Sequence, residues 1–174
     1  MELLVAMGVF AVLAGIILVQ FRRTQYRDAA RLAALQFTAD AERMQAAALA
    51  GSAERSGAAA YGLHLQESVR DRYLLFADLI QCTTDGSQVC AANQVYDLGE
   101  ELTDGTRMLP KDVRVMRVTP GATTDILFLV PGGLGTMTPT ASELRVEFAH
   151  RSVEERWAAT VNAISGRSTL FRVP

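Results

Sequence analysis

Few side chains in this chain of 174 residues are equipped for chemistry, and their spacing narrows the options. Cys82 and Cys90 are the only cysteines, and His64 and His150, far apart in sequence, are the only histidines. That is little material for a metal centre or a nucleophile–histidine pair. The P-loop, GxGxxG, GxSxG, HExxH and CxxC patterns are absent, so no catalytic activity and no cofactor are expected. Oxidised, the cysteines would close a loop of nine residues in a polar segment, a constraint worth about 2.6 kcal/mol by chain entropy. Asp97, Glu100, Glu101 and Asp104 gather near Gly99 and Gly105 and read as a solvated loop. Arg151, Arg156, Arg167 and Arg172 are basic positions near the C-terminus. His64 reads as a packing or surface residue on a strand, and Trp157 as core. The most unusual group is Glu2. It stands directly before an uncharged, mostly apolar run from Leu3 to Phe21, which Arg22 and Arg23 follow.

The elements that carry these groups are legible in outline. Nineteen residues from Leu3 to Phe21 make a helix of about 28 Å, close to the thickness of a bilayer core. The run is longer than a signal-peptide core, nothing basic precedes it, and bulky residues follow it, so it reads as a retained membrane helix. Helical pattern continues past it. Ala30, Ala34, Phe37, Ala41, Met44 and Ala48 recur at spacings of three and four, with Arg27, Arg31, Thr38 and Gln45 largely off that stripe. The expectation is one helix to about Gly51, without a proline kink, because the first proline is Pro110. Beyond Gly57 the texture becomes β. Tyr61–Gln66 and Arg72–Leu79 read as a hairpin, and Cys82–Asn93 as a polar loop. Thr103-Asp104-Gly105 reads as a turn before a short strand at Arg107–Leu109. Val113–Val118, Ile126–Val130 and Glu143–Phe148 read as strands, and Trp157–Ile164 with Ser168–Val173 as a last hairpin. The fold class is therefore α+β, a long helix whose amphipathic half packs across one face of a small antiparallel sheet. The segments are 1–23, apolar helix; 24–52, its amphipathic continuation; and 53–174, the β domain.

Residues 2–6, Glu-Leu-Leu-Val-Ala, and 10–14, Phe-Ala-Val-Leu-Ala, resemble the N-terminal signature of type IV pilins and type II secretion pseudopilins. Ala58–His64, Tyr73–Asp78 and Asp125–Phe128 are most similar to the GspH/FimT-type minor pseudopilins. The N-terminal likeness spans about 20 residues and is specific; the distal one is loose. Family precursors carry a short basic leader ending in glycine, whereas Met1 here directly precedes Glu2. The expectation is a start upstream of Met1.

The resemblance implies a subunit that sits in the inner membrane by one helix, with its C-terminal domain extracytoplasmic, and is then stacked into a filament. The implied partners are other pilin or pseudopilin subunits, the prepilin peptidase and the assembly platform. Glu2 would align subunits by pairing with a neighbour's N-terminal amine, and Ala6, Gly8, Ala11, Ala14 and Gly15 would permit close helix approach. An exported domain meets oxidising conditions, which favours the Cys82–Cys90 disulfide. Some relatives bind calcium through loop carboxylates, but Asp97, Glu100, Glu101 and Asp104 follow no calcium-loop pattern. Some FimT-type pilins bind DNA through a basic C-terminal region. Here Glu154 and Glu155 interrupt the arginines, and the net charge is −2, so nucleic acid is not an expected partner. Two alternatives stay open: an anchored extracytoplasmic domain that never polymerises, and a DNA-uptake minor pilin. Arginines after the helix, with none before it, would by the positive-inside rule place the distal domain in the cytoplasm.

Overall fold

The computed structural model describes residues 2–51, 57–82, 90–130, 133 and 135–173, with the backbone alone for 2–6, 81, 82, 90 and 91. Helix α1 runs from Glu2 to Ala50, 49 residues, about 73 Å at 1.5 Å per residue. Gly51 ends it at φ 58°, a left-handed conformation that costs a residue without Cβ little. Its N–H reaches the Ala48 carbonyl at 3.3 Å.

The expected stripe is the buried one: Ala30, Ala34, Phe37, Ala41, Met44 and Ala48 are at most 1% exposed. Thr38 departs from expectation and is also buried. Its hydroxyl donates to the Leu35 carbonyl at 2.8 Å, which offsets the cost of leaving water.

Strands β1 (Ala58–Gln66) and β2 (Arg72–Leu79) form the expected hairpin, with Leu63 opposite Leu75. The polar stretch read as a plain loop includes a short ladder, β3 (Gln81–Cys82) against β4 (Cys90–Ala91). β5 spans Glu101–Met108, so the strand read at Arg107–Leu109 begins earlier. The Asp104-Gly105 turn signal marks a bulge inside it rather than a turn. Asp104 has φ 59°, and the pairing with β2 slips between Leu74 and Phe76. A Cβ at Gly105 would meet the Leu75 carbonyl at 2.4 Å, so the bulge needs glycine. β6 (Val113–Thr119) also bulges, between Val115 and Arg117, so Val113, Val115 and Val118 all point inward. β7 (Thr123–Leu129) is buried from Thr124 to Phe128 and lies between β1 and β8 (Gly135–Thr138). β9 (Glu143–His150) pairs β10 (Arg156–Asn162), which forms the expected last hairpin with β11 (Ser168–Val173).

These strands make two main antiparallel sheets, ordered β5-β2-β1-β7-β8 and β11-β10-β9-β6. The sequence reading placed the helix across one sheet face. In the structure its second half packs against both sheets, touching β1 and β7 of one and β9, β10 and β11 of the other. Phe37 shows why this works. Its ring meets Tyr73 of β2 edge-on at 5.3 Å and Phe148 of β9 at 5.8 Å. One helix thus closes the core of both sheets. Trp157, expected in the core, sits at its edge, half-buried, with the Arg31 guanidinium 5.4 Å from its ring centroid.

Phe37→Ala should cost about 3–5 kcal/mol, whereas Leu32→Ala, at a side chain 59% exposed, should stay within about 0.5 kcal/mol. Denaturant unfolding of the full chain in mild detergent checks both; equal losses would contradict the placement of Phe37 between the sheets.

Candidate functional site

The helix itself is the first candidate, because half of it packs on none of the described residues. Every residue from Met7 to Gln25 is exposed, including Phe10 at 76% and Val19 at 68%. This segment begins a helix long and apolar enough to cross a membrane. Gly8, Ala11 and Gly15 fall within about 60° of arc at 3.6 residues per turn. A Cβ at Gly8 or Gly15 would meet nothing within 4 Å. These glycines serve no packing within the subunit and leave room for another backbone.

The docked half has an apolar outer face as well. Leu32, Leu35, Ala39 and Ala46 fall within about 60° of arc on the side away from the sheets, and all four are exposed. The side chain of Glu2 lies outside the described residues, though its backbone begins α1. The Cys82 and Cys90 side chains lie outside them too. Their backbones stand directly opposite one another across β3 and β4.

The acidic cluster has a structural occupation. Glu100 is buried and accepts from the Leu79 and Asp97 amides, each at 3.0 Å. Glu101 accepts from the Tyr96 hydroxyl and from the Gly99 amide. Asp97 accepts from the Asn93 side-chain amide at 2.6 Å. Asp104 contributes a carbonyl to Arg107 at 2.9 Å. The carboxylates thereby hold segment 93–101 over the back of the first sheet, where Tyr96 covers Ala60, Phe76 and Leu127. Among the described residues, no three His, Cys, Asp or Glu groups converge as metal ligands.

Two buried acids that sequence reasoning did not single out complete this clasp. Asp78 accepts from the Gln94 amide at 2.9 Å, and Asp125 from the Tyr96 amide at 3.3 Å. Asp125 also contacts His64, Nδ1 to Oδ1 2.6 Å, so His64 is an oriented partner rather than a generic packing residue. The His64 ring lies 4.5 Å from that of Tyr96, over a groove of about 410 Å³. The pairing of β1 with β7 places His64 opposite Asp125, a proximity no local pattern announces. Burial pushes the Asp78 carboxyl up, with the Glu100 and Asp97 charges adding to it. Burial and the bond to Glu101 push the Tyr96 hydroxyl up to about 12.

The four C-terminal arginines do not form one surface. Arg167 lies in the β10–β11 turn, at the opposite end of the domain from Arg151. Arg172 pairs with Glu155 at 3.2 Å and Arg156 with Glu147 at 3.7 Å. Arg151 and Arg156 share a groove with Arg70 and Arg114, which distant segments supply. Comparison of the chain with family models, curated proteins and solved structures finds no match.

Asp78 yields a test with a defined sign. A folded-state pKa above the ordinary 3.8 means its contribution to stability is full below that value. The contribution is lost as pH rises through the folded pKa. Asp78→Asn keeps an acceptor for the Gln94 amide and removes the charge. Thermal melts from pH 4 to 8 should show a smaller decline towards neutral pH for the variant than for the wild type. Parallel curves would contradict the assignment.

Proposed function

We propose that the chain is a minor pilin-like subunit of pseudopilin type. It would reside in the inner membrane by the first half of α1, then assemble through that helix into a type IV pilus or a secretion pseudopilus. Its action is mechanical rather than catalytic. Its partners are other pilin-like subunits, the prepilin peptidase and the membrane platform that drives assembly, and its β domain is extracytoplasmic. The observation that carries this reading is the unpartnered apolar helix surface. It runs from Met7 along the free half and continues as Leu32 and Leu35 on the outside of the docked half. A simple anchor accounts for the first part, because lipid covers it. The second part lies beyond the span, where only another protein surface would cover it.

Glu2 is the proposed alignment group. An acid at a helix N-terminus is favoured by the dipole, and in hydrocarbon it gains most from a cationic partner on a neighbouring subunit. Glu2→Ala should lower filament incorporation at least tenfold while leaving the near-UV circular dichroism of the β domain unchanged. Normal incorporation of the variant would remove this role from Glu2.

An extracytoplasmic domain also favours a Cys82–Cys90 disulfide. Directly opposed antiparallel residues have Cα atoms about 4.5–5.5 Å apart, within the usual disulfide range of about 4.4–6.8 Å, and this is the register of the two cysteine backbones. Chain recovered from the exported compartment should take up thiol reagent only after reduction. Labelling before reduction would contradict the pairing.

A further inference from the structure

We infer that the groove between α1 and the β9–β10 loop seats the phosphate headgroup of an anionic phospholipid. This rests on the proposed membrane residence of the helix. The groove has a volume of about 930 Å³ and is lined by Val19, Arg22, Arg23 and Arg27 of the helix, and by Val153 and Arg172 of the domain. Its place along the chain is specific. Arg22 and Arg23 are the first charges after the apolar run, so a bilayer that accommodates that run brings lipid phosphates to their level.

The facing of these residues is specific too. Positions 19, 22, 23, 26 and 27 recur at the three-and-four spacing of one helix face, and Ala30, Ala33 and Ala34 continue that face into the core. The arginines therefore lie beneath the rim of the domain. Tyr26 fixes that rim by stacking on His150, ring centroids 4.3 Å apart.

The charges in the groove are unequal. Four arginines meet two glutamates, Glu154 and Glu155. Glu155 is already engaged twice. Arg27 Nε lies 2.7 Å from its Oε2, an ion contact without hydrogen-bond alignment, and Arg172 Nε lies 3.2 Å from its Oε1. Arg22 and Arg23 are exposed and make no ion pair among the described residues. Two unpaired guanidiniums over an apolar floor at Val19 match a phosphate carried on an acyl glycerol, since guanidinium binds phosphate oxygens in a planar fork. This also gives the arginines a function outside the cytoplasm, where the positive-inside bias would not retain them.

The test uses the full chain reconstituted into phosphatidylcholine vesicles carrying a small share of spin-labelled phosphatidylglycerol or spin-labelled phosphatidylcholine. The motionally restricted fraction should favour phosphatidylglycerol by about fivefold or more at low salt, roughly the effect of one arginine near an anionic surface. High salt should weaken it. Arg22→Gln with Arg23→Gln should bring the two labels close to parity. Arg167→Gln, at the far end of the domain, should leave the preference intact. Equal restriction of the labels by the wild type would overturn the inference, as would a preference that survives the double substitution. Displacement of the label by millimolar glycerol phosphate would also overturn it, by making this a site for a soluble phosphate. Alkaline extraction of the same vesicles separates the two levels. Release of the chain would refute membrane residence as well; retention without lipid preference would refute only the headgroup site.

Discussion

The structure depends on one unbroken helix that joins an exposed half to a half that closes the core. From Glu2 to Ala50 the backbone ladder is continuous, and no proline interrupts it. From Met7 to Phe21 the helix is mostly apolar all round and exposed among the described residues. The second half closes the core of both sheets, with Phe37 between Tyr73 and Phe148. The free and docked halves thus share one unbroken backbone about 73 Å long. Loosening the helix would also open both sheets, because its alanines are the facing layer for each.

A stripe of alanines is a poor guide to position. It lets helix and sheet approach closely, but methyl groups alone do not fix rotation or sliding. Directional contacts supply the register. Asp40 is buried and accepts from the Tyr73 hydroxyl at 2.6 Å and from Arg107 Nε at 3.2 Å, tying the helix to β2 and β5. At the far end Gln45 donates to the Ser165 carbonyl at 2.8 Å. At the near end Arg27 meets Glu155. Burial and the Asp40 carboxylate together hold the Tyr73 hydroxyl in its protonated form. The upward shift favours the protonated, donating form of this anchor.

The division between legible and illegible features follows the range of the interactions. The helix, its buried stripe and its end at Gly51 rest on periodicity and on one glycine, all local, and the sequence contains them. Most strands, including β7 between two neighbours, are likewise local patterns. The bulges were not legible as such. Asp104-Gly105 is a turn signal by composition, and only its pairing with β2 makes it a bulge. The separation into two sheets was hidden for the same reason, since strand order is a property of pairing. Among candidate site residues, the acidic cluster was visible as charge but not as a set of amide acceptors. His64–Asp125 and the Arg70–Arg114 groove join segments far apart in sequence, and no spacing rule reaches them. Asp40 and Arg107, which fix the helix, were missed because each looks alone like a solvated charge.

The two apolar surfaces of α1 make different demands. The surface from Met7 to Phe21 is continuous around the helix, and lipid covers such a surface without regard to rotation. The outer stripe at Leu32, Leu35, Ala39 and Ala46 is narrow and lies beyond that run, on a helix whose rotation the sheets have fixed. Lipid would not reach it while the first half spans a bilayer. Folding of the subunit does not cover it, since the same helix already buries its opposite face. A narrow stripe of fixed orientation suits a partner that is also fixed in orientation. On the proposed reading that partner is a neighbouring subunit held parallel to this one. The same stacking would bring the Gly8–Gly15 face against a second helix as the first half leaves the bilayer. Assembly would then exchange lipid for protein along the whole length of α1, with the sheets setting the angle at which each helix arrives.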